Sequence, residues 1–412
     1  MQDRQLYQQI LGITAPWSVE RVELKLDKEN TVRVFLEHAK NVEWKCAECG
    51  ATCPLHDHEP ARVWRHLDTC QYQTLLHASV PRTKCPEHGV LVVKVPWAEP
   101  NTRFTLLFER LVINWMLESD RTAVARMFDI SWDQANRIMQ KAIERGLLRR
   151  EPWEGSLIGV DEKSFQAHHE YVTVVCDLEK GHVLHVGDHR KQATLDVFYA
   201  GLNADQKQGI QAVAMDMWEP YIQSTTQSLP HAAIVFDKFH IAKNFSKAVD
   251  QVRRAENKHL RAEGDDRLQG TRYQWLTNPT NFTNEAWRDF KDLRTSKLRT
   301  ARAWALKETF STFWKYTYAE SARKFFRDWY RWAIRSRLKP IKGVARMLKK
   351  RLPQLLNYFK YRITNATAES LNSKIQWIKY MSRGFRSREG FRRAILFHCG
   401  GLNLHPELPA TK

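Results

Sequence analysis

No run of the chain reaches the roughly 18 consecutive apolar residues of a membrane-spanning helix, which argues against an integral membrane protein of the helical kind. The start, Met1-Gln2-Asp3-Arg4-Gln5, lacks the basic-then-apolar layout of a secretory signal, so a cytosolic compartment is expected. In that compartment seven cysteines are better explained as metal ligands, buried thiols or reactive thiols than as disulfide partners. Acid is scarce: 46 Asp and Glu stand against 65 Lys and Arg, for a net charge of +19. The deficit is deepest between Trp329 and Ala368, which holds no acidic residue and eleven Lys or Arg. Such a balance suits a protein that neutralises phosphates, although a generic basic protein or one that binds anionic membrane would share it. A hydrophobic content of 43% argues against disorder, and 412 residues are enough for about two to four domains.

Near the N-terminus, Val22, Leu24 and Leu26 alternate with polar residues, residues 27–30 signal a turn, and Val32, Val34 and Leu36 alternate again. That pattern predicts a β-hairpin. Cys46-x-x-Cys49-Gly50 follows, and later Cys85-x-x-His88-Gly89, with room between them for strands such as 73–80. In each knuckle a glycine after the second ligand allows a tight turn, and the four donors suit structural Zn2+ in tetrahedral geometry. Cys53 with His56 could displace one knuckle, and His58, His66 and Cys70 lie in the same stretch. Cys53 and Cys70 are read instead as small core residues. These elements define a zinc-ribbon-like β domain over 1–100.

Residues 101–150 read as a trihelical helix-turn-helix, with helices over 104–118, 122–128 and 132–145. Ser131 caps the third, and Gln134 completes a capping box. Ala135, Ile138, Ala142 and Met139 should face inward, leaving Gln134, Arg137, Lys141 and Arg145 outward. Base readout would rest on Gln134, Arg137 and Asn136, with Lys141 on the same side. An ordinary three-helix spacer with a solvated basic face is the alternative.

After Pro152 the periodicity becomes extended. Short apolar runs at 157–161, 171–176 and 182–186, a helix over 193–202, and runs at 210–214 and 232–236 follow the order of a ribonuclease-H-like α/β core, an antiparallel meander extended by parallel strands. Asp161 and Asp216 would emerge side by side. Glu369 sits on a helix over 366–381 whose buried stripe is Ala368, Leu371, Ile375 and Ile378, with Asn372 and Gln376 on the polar strip beside it. Two strand-borne aspartates and a helix-borne glutamate form a triad able to hold two Mg2+ (or Mn2+) ions for phosphodiester chemistry. Asp237 also ends a strand and is the rival second aspartate. His240 is a possible accessory group: a proton shuttle, a DNA contact or a core histidine.

The stretch between Asp216 and Glu369 far exceeds what one strand and one helix need. Residues 251–354 read as an α-helical insertion that splits the core into 151–250 and 355–412. Its tryptophans are expected to anchor helix packing. Arg346, Lys349, Lys350 and Arg351 in its acid-free run are expected to line a DNA channel.

Four segments then carry a resemblance: Gly159-Val160-Asp161-Glu162, Ala214-Met215-Asp216-Met217-Trp218, Val235-Phe236-Asp237-Lys238-Phe239-His240 and Asn365-Ala366-Thr367-Ala368-Glu369-Ser370-Leu371-Asn372. They resemble the signature blocks of the ISL-three family of bacterial insertion-sequence transposases, and the similarity covers essentially the whole chain. The resemblance implies Asp161, Asp216 and Glu369 as the metal-binding DDE triad, and Asp237 to His240 as the C/D-x-x-H element of such enzymes. Where family members often carry a second CxxC, this chain has Cys85-Pro-Glu-His88. The implied function is to bind the terminal inverted repeats of an insertion sequence, cleave there and join the ends to target DNA. Double-stranded DNA would be the partner, a homodimer or larger assembly the working form, and the nucleoid the location. A metal-dependent nuclease of the same fold and a non-catalytic DNA-binding regulator are the rival readings.

Overall fold

A computed structural model describes residues 3–26, 30–166, 170–363 and 366–408. The chain forms two compact units: Met1–Glu151 with Tyr380–Arg383 and Gly401–Lys412, and Pro152–Lys379 with Gly384–Gly400. No helix among the described residues is long and apolar enough to cross a membrane.

The first unit opens with helix α1 (Asp3–Ile10), then the expected hairpin of β1 (Trp17–Lys25) and β2 (Thr31–His38). Val32, Val34 and Leu36 are buried as their alternation requires, whereas Leu24 and Leu26 lie exposed and β1 buries Trp17 and Val19 instead. Two short strands, β3 (Trp44–Lys45) and β4 (Thr52–Cys53), pair around the first knuckle. After β5 (Leu55–His58), β6 (Arg62–Thr69) and β7 (Tyr72–Ala78) complete a sheet of order β1-β2-β7-β6. Strands β8 (Pro81–Cys85) and β9 (Gly89–Val92) form the second knuckle, in the order β5-β8-β9. Trp17, Trp44, Trp64 and Trp97 share the core with Val34 and Leu76. Cys70 is no core residue: it is exposed at the β6–β7 turn with φ of +48°, while Cys53 is buried as expected.

Three helices follow: α2 (Leu106–Glu118), α3 (Arg121–Met127) and α4 (Trp132–Leu148). Thr105, Asp120 and Ser131 cap them through their side-chain oxygens, and Ser131 with Gln134 forms the full capping box. Asp129 occupies the left-handed region (φ +50°) before Ser131 and accepts a hydrogen bond from Gln73 Nε2 at 2.7 Å. Arg145 corrects the expected outer face. It is buried, with Nη2 at 2.8 Å from Glu99 and 3.2 Å from the buried Glu109, and Nη1 donates to the Leu404 carbonyl at 2.6 Å. The carboxylates compensate a guanidinium that would be costly to bury alone.

The second unit is built on β10 (Leu157–Gln166), β11 (Glu170–Asp177) and β12 (His182–Asp188). Helices α5 (Gln192–Ala200) and α6 (Ala204–Gly209), strand β13 (Ala212–Met215), helix α7 (Glu219–Ser228) and strand β14 (Ala233–Phe236) follow. The sheet order is β12-β11-β10-β13-β14, antiparallel on one side of β10 and parallel on the other. Strands β13 and β14 are almost wholly buried, which explains their continuous apolar runs. Helices α8 (Lys238–Ala262), α9 (Arg272–Leu276), α10 (Asn284–Thr295), α11 (Arg299–Ser311), α12 (Ala319–Arg335), α13 (Lys339–Lys350) and α14 (Leu352–Tyr361) come next, then α15 (Ala366–Met381) and α16 (Arg388–Cys399). Trp275, Trp304 and Trp329 are buried packing anchors of this helical stretch, Trp287 and Trp314 pack partly buried against it, and Trp332 is exposed.

Candidate active site and metal clusters

Strand register assembles the acidic site. Val160 of β10 pairs with Met215 of β13, which pairs with Phe236 of β14. The next residue of each strand is an aspartate, so Asp161, Asp216 and Asp237 form a row across three parallel neighbours, about 4.8 Å per step. Asp216 therefore adjoins Asp161, and Asp237 lies one step further away. Strand β10 does not end at Asp161 as the apolar run suggested, because Asp161 still pairs with Val174 of β11 after β13 has stopped.

Glu369 and Asn372, one turn apart on α15, line the same small cavity as the three aspartates, about 40 Å³ in volume and thus large enough for one water or ion. Glu369 is exposed. Asp161 is held from several sides: Oδ1 accepts the Glu162 N–H at 2.7 Å, and Oδ2 accepts Lys163 Nζ at 2.6 Å and Asn372 Nδ2 at 2.9 Å. Lys163 and Asn372 were not singled out as site residues from sequence. The available signal was spacing, since Lys163 lies two residues from Asp161 on one strand face and Asn372 three from Glu369 on one helix face.

Asp216 Oδ2 lies 2.6 Å from His240 Nδ1, and Asp237 Oδ2 lies 3.9 Å from His240 Nε2. Asp237 also caps α8, accepting the Phe239 N–H at 2.7 Å. Burial raises the Asp216 carboxyl above its ordinary range against the His240 hydrogen bond, and the charges of Asp161 and Asp237 add to the rise. Burial opposes protonation of His240, but the Asp216 bond and the charges of Asp216, Asp237 and Asp161 outweigh it and lift the imidazole. The carboxylate charges that lift His240 would also attract a cation. Asp161, Asp216 and His240 offer ligand atoms within 4.8 Å of one another, and the carboxylate oxygens suit a hard divalent ion.

The thiol cluster forms locally. Cys46, Cys49, Cys85 and His88 bring their ligand atoms within 4.8 Å of one another. Cys49 Sγ is 3.8 Å from Cys85 Sγ, and His88 Nδ1 is 3.9 Å from Cys46 Sγ and 3.6 Å from Cys85 Sγ. Tetrahedral zinc bonds of about 2.3 Å to sulfur and 2.0 Å to nitrogen call for edges of about 3.5 to 3.8 Å, so the donors fit zinc. Gly50 and Gly89 take φ of +72° and +70°, as a turn after each second ligand requires. The N–H of His88 and its side chain draw the Cys85 thiol down to about 6, toward the thiolate a metal needs. Cys53 lies buried beside Cys46 and Cys85 but outside the four, and His56 is exposed.

The candidate DNA contacts divide. Arg137 is exposed on α4. Gln134 spends its Oε1 on the Ser131 N–H at 2.7 Å, Asn136 Oδ1 accepts Arg121 Nη1 at 2.6 Å, and Lys141 Nζ donates to the Pro100 carbonyl at 3.2 Å. Arg346, Lys349 and Lys350 are exposed on α13, whereas Arg351 is mostly buried in an ion pair with Glu219.

Comparison with known proteins runs the same way along the chain. Residues 43–88, ending at the fourth cluster ligand, match the zinc finger of the transposases IS204, IS1001, IS1096 and IS1165, and residues 93–143 match the helix-turn-helix domain of transposase family ISL3. The chain is 27% identical over 444 aligned positions to the transposase for insertion sequence element IS1557 of Mycobacterium tuberculosis, covering 99% of this chain and 98% of that one. It is 28% identical over 397 positions to the transposase for IS1001 of Bordetella parapertussis, covering 95% and 97%. Residues 158–395, which include the aspartate row and Glu369, match the ISL3 transposase model, and with more than half its length in that match the chain belongs to the ISL3 family of transposases.

Proposed function

We propose that the protein binds the terminal inverted repeats of an insertion sequence, cleaves DNA at the element ends and joins the freed 3′-hydroxyls to target DNA. The observation that carries the reading is the register-aligned pair Asp161 and Asp216, with Glu369 on the wall of the same cavity. An antiparallel meander extended by two parallel strands supports a ribonuclease-H-like assignment for the second unit. Asp161, Asp216 and Glu369 would hold Mg2+ or Mn2+, which polarises the phosphoryl group and activates the attacking oxygen. Lys163 and Asn372 orient the Asp161 carboxylate, and His240 Nδ1 shares a hydrogen bond with Asp216. Asp216 takes the second position because it adjoins Asp161, with Asp237 one strand further out.

In the first unit, Cys46, Cys49, Cys85 and His88 would hold a structural zinc. Arg137 leads the base contacts, with Gln134 and Asn136 constrained by their own hydrogen bonds, and Lys141 helps to place α4. Arg346, Lys349 and Lys350 contact phosphates. Two ends must be joined, so the working form is a dimer or larger.

The test is an assay with a labelled, pre-cut element end and a target plasmid. Covalent strand-transfer product from the wild type, absent with Asp161→Ala, is expected. Cleavage without joining would make the protein a nuclease. Normal repression or binding with no chemistry in either form would make it a regulator.

A further inference from the structure

Helices α8 and α13 run beside each other and leave between them a groove of about 460 Å³. Lys247 and Gln251 come from α8 and Lys339 from α13, and all three are exposed. Lys243 and Arg346 add exposed positive charge on the same two helices outside the groove lining, and α13 carries no acidic residue at all. Among the described residues none of these lysines and arginines is ion paired, so their charge is uncommitted.

Gly343 supplies a second, independent observation. It stands in the middle of α13, is exposed and lines the groove, and a Cβ added there would meet nothing within 4 Å. Glycine weakens a helix interior relative to alanine, so a packing reason would normally be expected. Among the described residues no atom within 4 Å supplies one. A bare Cα instead lets an outside backbone approach the helix closely.

Position indicates what approaches. Helix α8 begins directly after Asp237, and at 1.5 Å of rise per residue Asn244 and Gln251 lie about 10 and 21 Å along it. The groove therefore leads away from the aspartate row over a length that faces about three phosphates of one strand.

We propose that the α8–α13 groove is a track for one phosphodiester backbone of the DNA duplex, with Lys247 and Lys339 on its walls and Gly343 as the point of closest approach. The proposal rests on the transposase reading for its substrate. It adds α8 to the DNA surface and gives Gly343 a role.

Anisotropy of the full chain with a fluorescein-labelled duplex, over a salt series, tests it. The double variant Lys247→Ala/Lys339→Ala should bind specific and random duplex more weakly alike, with the slope of log affinity against log salt reduced by about 1.8, or 0.9 per lost contact. Gly343→Leu, with Gly343→Ala as a milder step, should weaken binding, by about tenfold for leucine, while its melting temperature holds or rises, because both replacements favour the helix. A structural glycine would move stability and affinity together downward. Unchanged affinity and slope in these variants, in a protein whose Lys349→Ala/Lys350→Ala variant does lose affinity, would overturn the groove alone. A wild type that binds no duplex would overturn the transposase reading and this inference together.

Discussion

Each half of the Cys46, Cys49, Cys85 and His88 cluster is made within a single tight turn, whereas the aspartate row joins strands far apart in the chain and needs a third element, α15, to bring Glu369 to it. The thiol cluster has four donors within 4.8 Å of one another, a full set for tetrahedral zinc. The carboxylate site has an exposed Glu369 and an open side. A closed set of donors serves shape and an open one serves chemistry, since a substrate oxygen must complete the coordination. Metal ions bound at the two clusters would therefore differ in how firmly they are held and in what fails when they are lost.

The sharpest break between the clusters comes from removing the first metal. Cys85→Ser should abolish the binding of about one zinc per chain and unfold the knuckles, since zinc in such sites is worth about 10 to 16 kcal/mol. Zinc content and differential scanning calorimetry would check it, with the transition of the second unit left in place. Full zinc retention in the variant would move Cys53 into the ligand set.

The converse change should leave zinc untouched. Asp161→Ala, Asp216→Ala and Glu369→Ala are each expected to lower end cleavage by about a thousandfold, or 4 kcal/mol, while duplex binding stays within about twofold. Gel-resolved cleavage beside anisotropy measures both. Normal cleavage by Asp216→Ala together with loss in Asp237→Ala would shift the second ligand one strand over.

A smaller effect separates ligands from the groups that aim them. Asn372→Ala should cost about 10- to 100-fold in cleavage, and excess Mg2+ should recover part of it, because the amide orients the Asp161 carboxylate. No response to Mg2+ in a titration would give Asn372 a substrate contact instead. Within the first unit, Arg137→Ala should weaken binding to the element end by about 1 to 3 kcal/mol more than to random duplex. Equal losses would reduce Arg137 to a phosphate contact and leave only the zinc-dependent fold for that unit to supply.

Local features could be read directly from the residues. The knuckle glycines, the Ser131–Gln134 capping box and the buried runs of β13 and β14 are fixed by neighbours in the chain, and spacing alone announces them. Features that depend on distant partners could not be read in this way. Arg145 falls at the same helical spacing as the buried Ile138 and Ala142, but its charge argued for the outside, and its compensating Glu99 and Glu109 lie on other elements. Arg351 lies in the same acid-free run as Arg346, Lys349 and Lys350, but its ion pair with Glu219 is made by tertiary packing alone. Lys163 reaches Asp161 from two residues along the same strand, but Asn372 meets the same oxygen from a helix 211 positions away, which only tertiary packing brings about.

The hold of the Leu404 carbonyl on Arg145 also sets a clock. The two residues are 259 positions apart, and the carbonyl of His405 holds Arg149 at 2.7 Å in the same way. At about 5 to 20 residues per second of synthesis, roughly 13 to 50 s pass between making α4 and making its last anchors. During that interval Glu99 and Glu109 are the partners on hand for Arg145. The N-terminal unit is thus completed not when its own helices emerge but when the ribosome has translated past the whole second unit, and a transcript cut short inside that unit leaves α4 without these two ties.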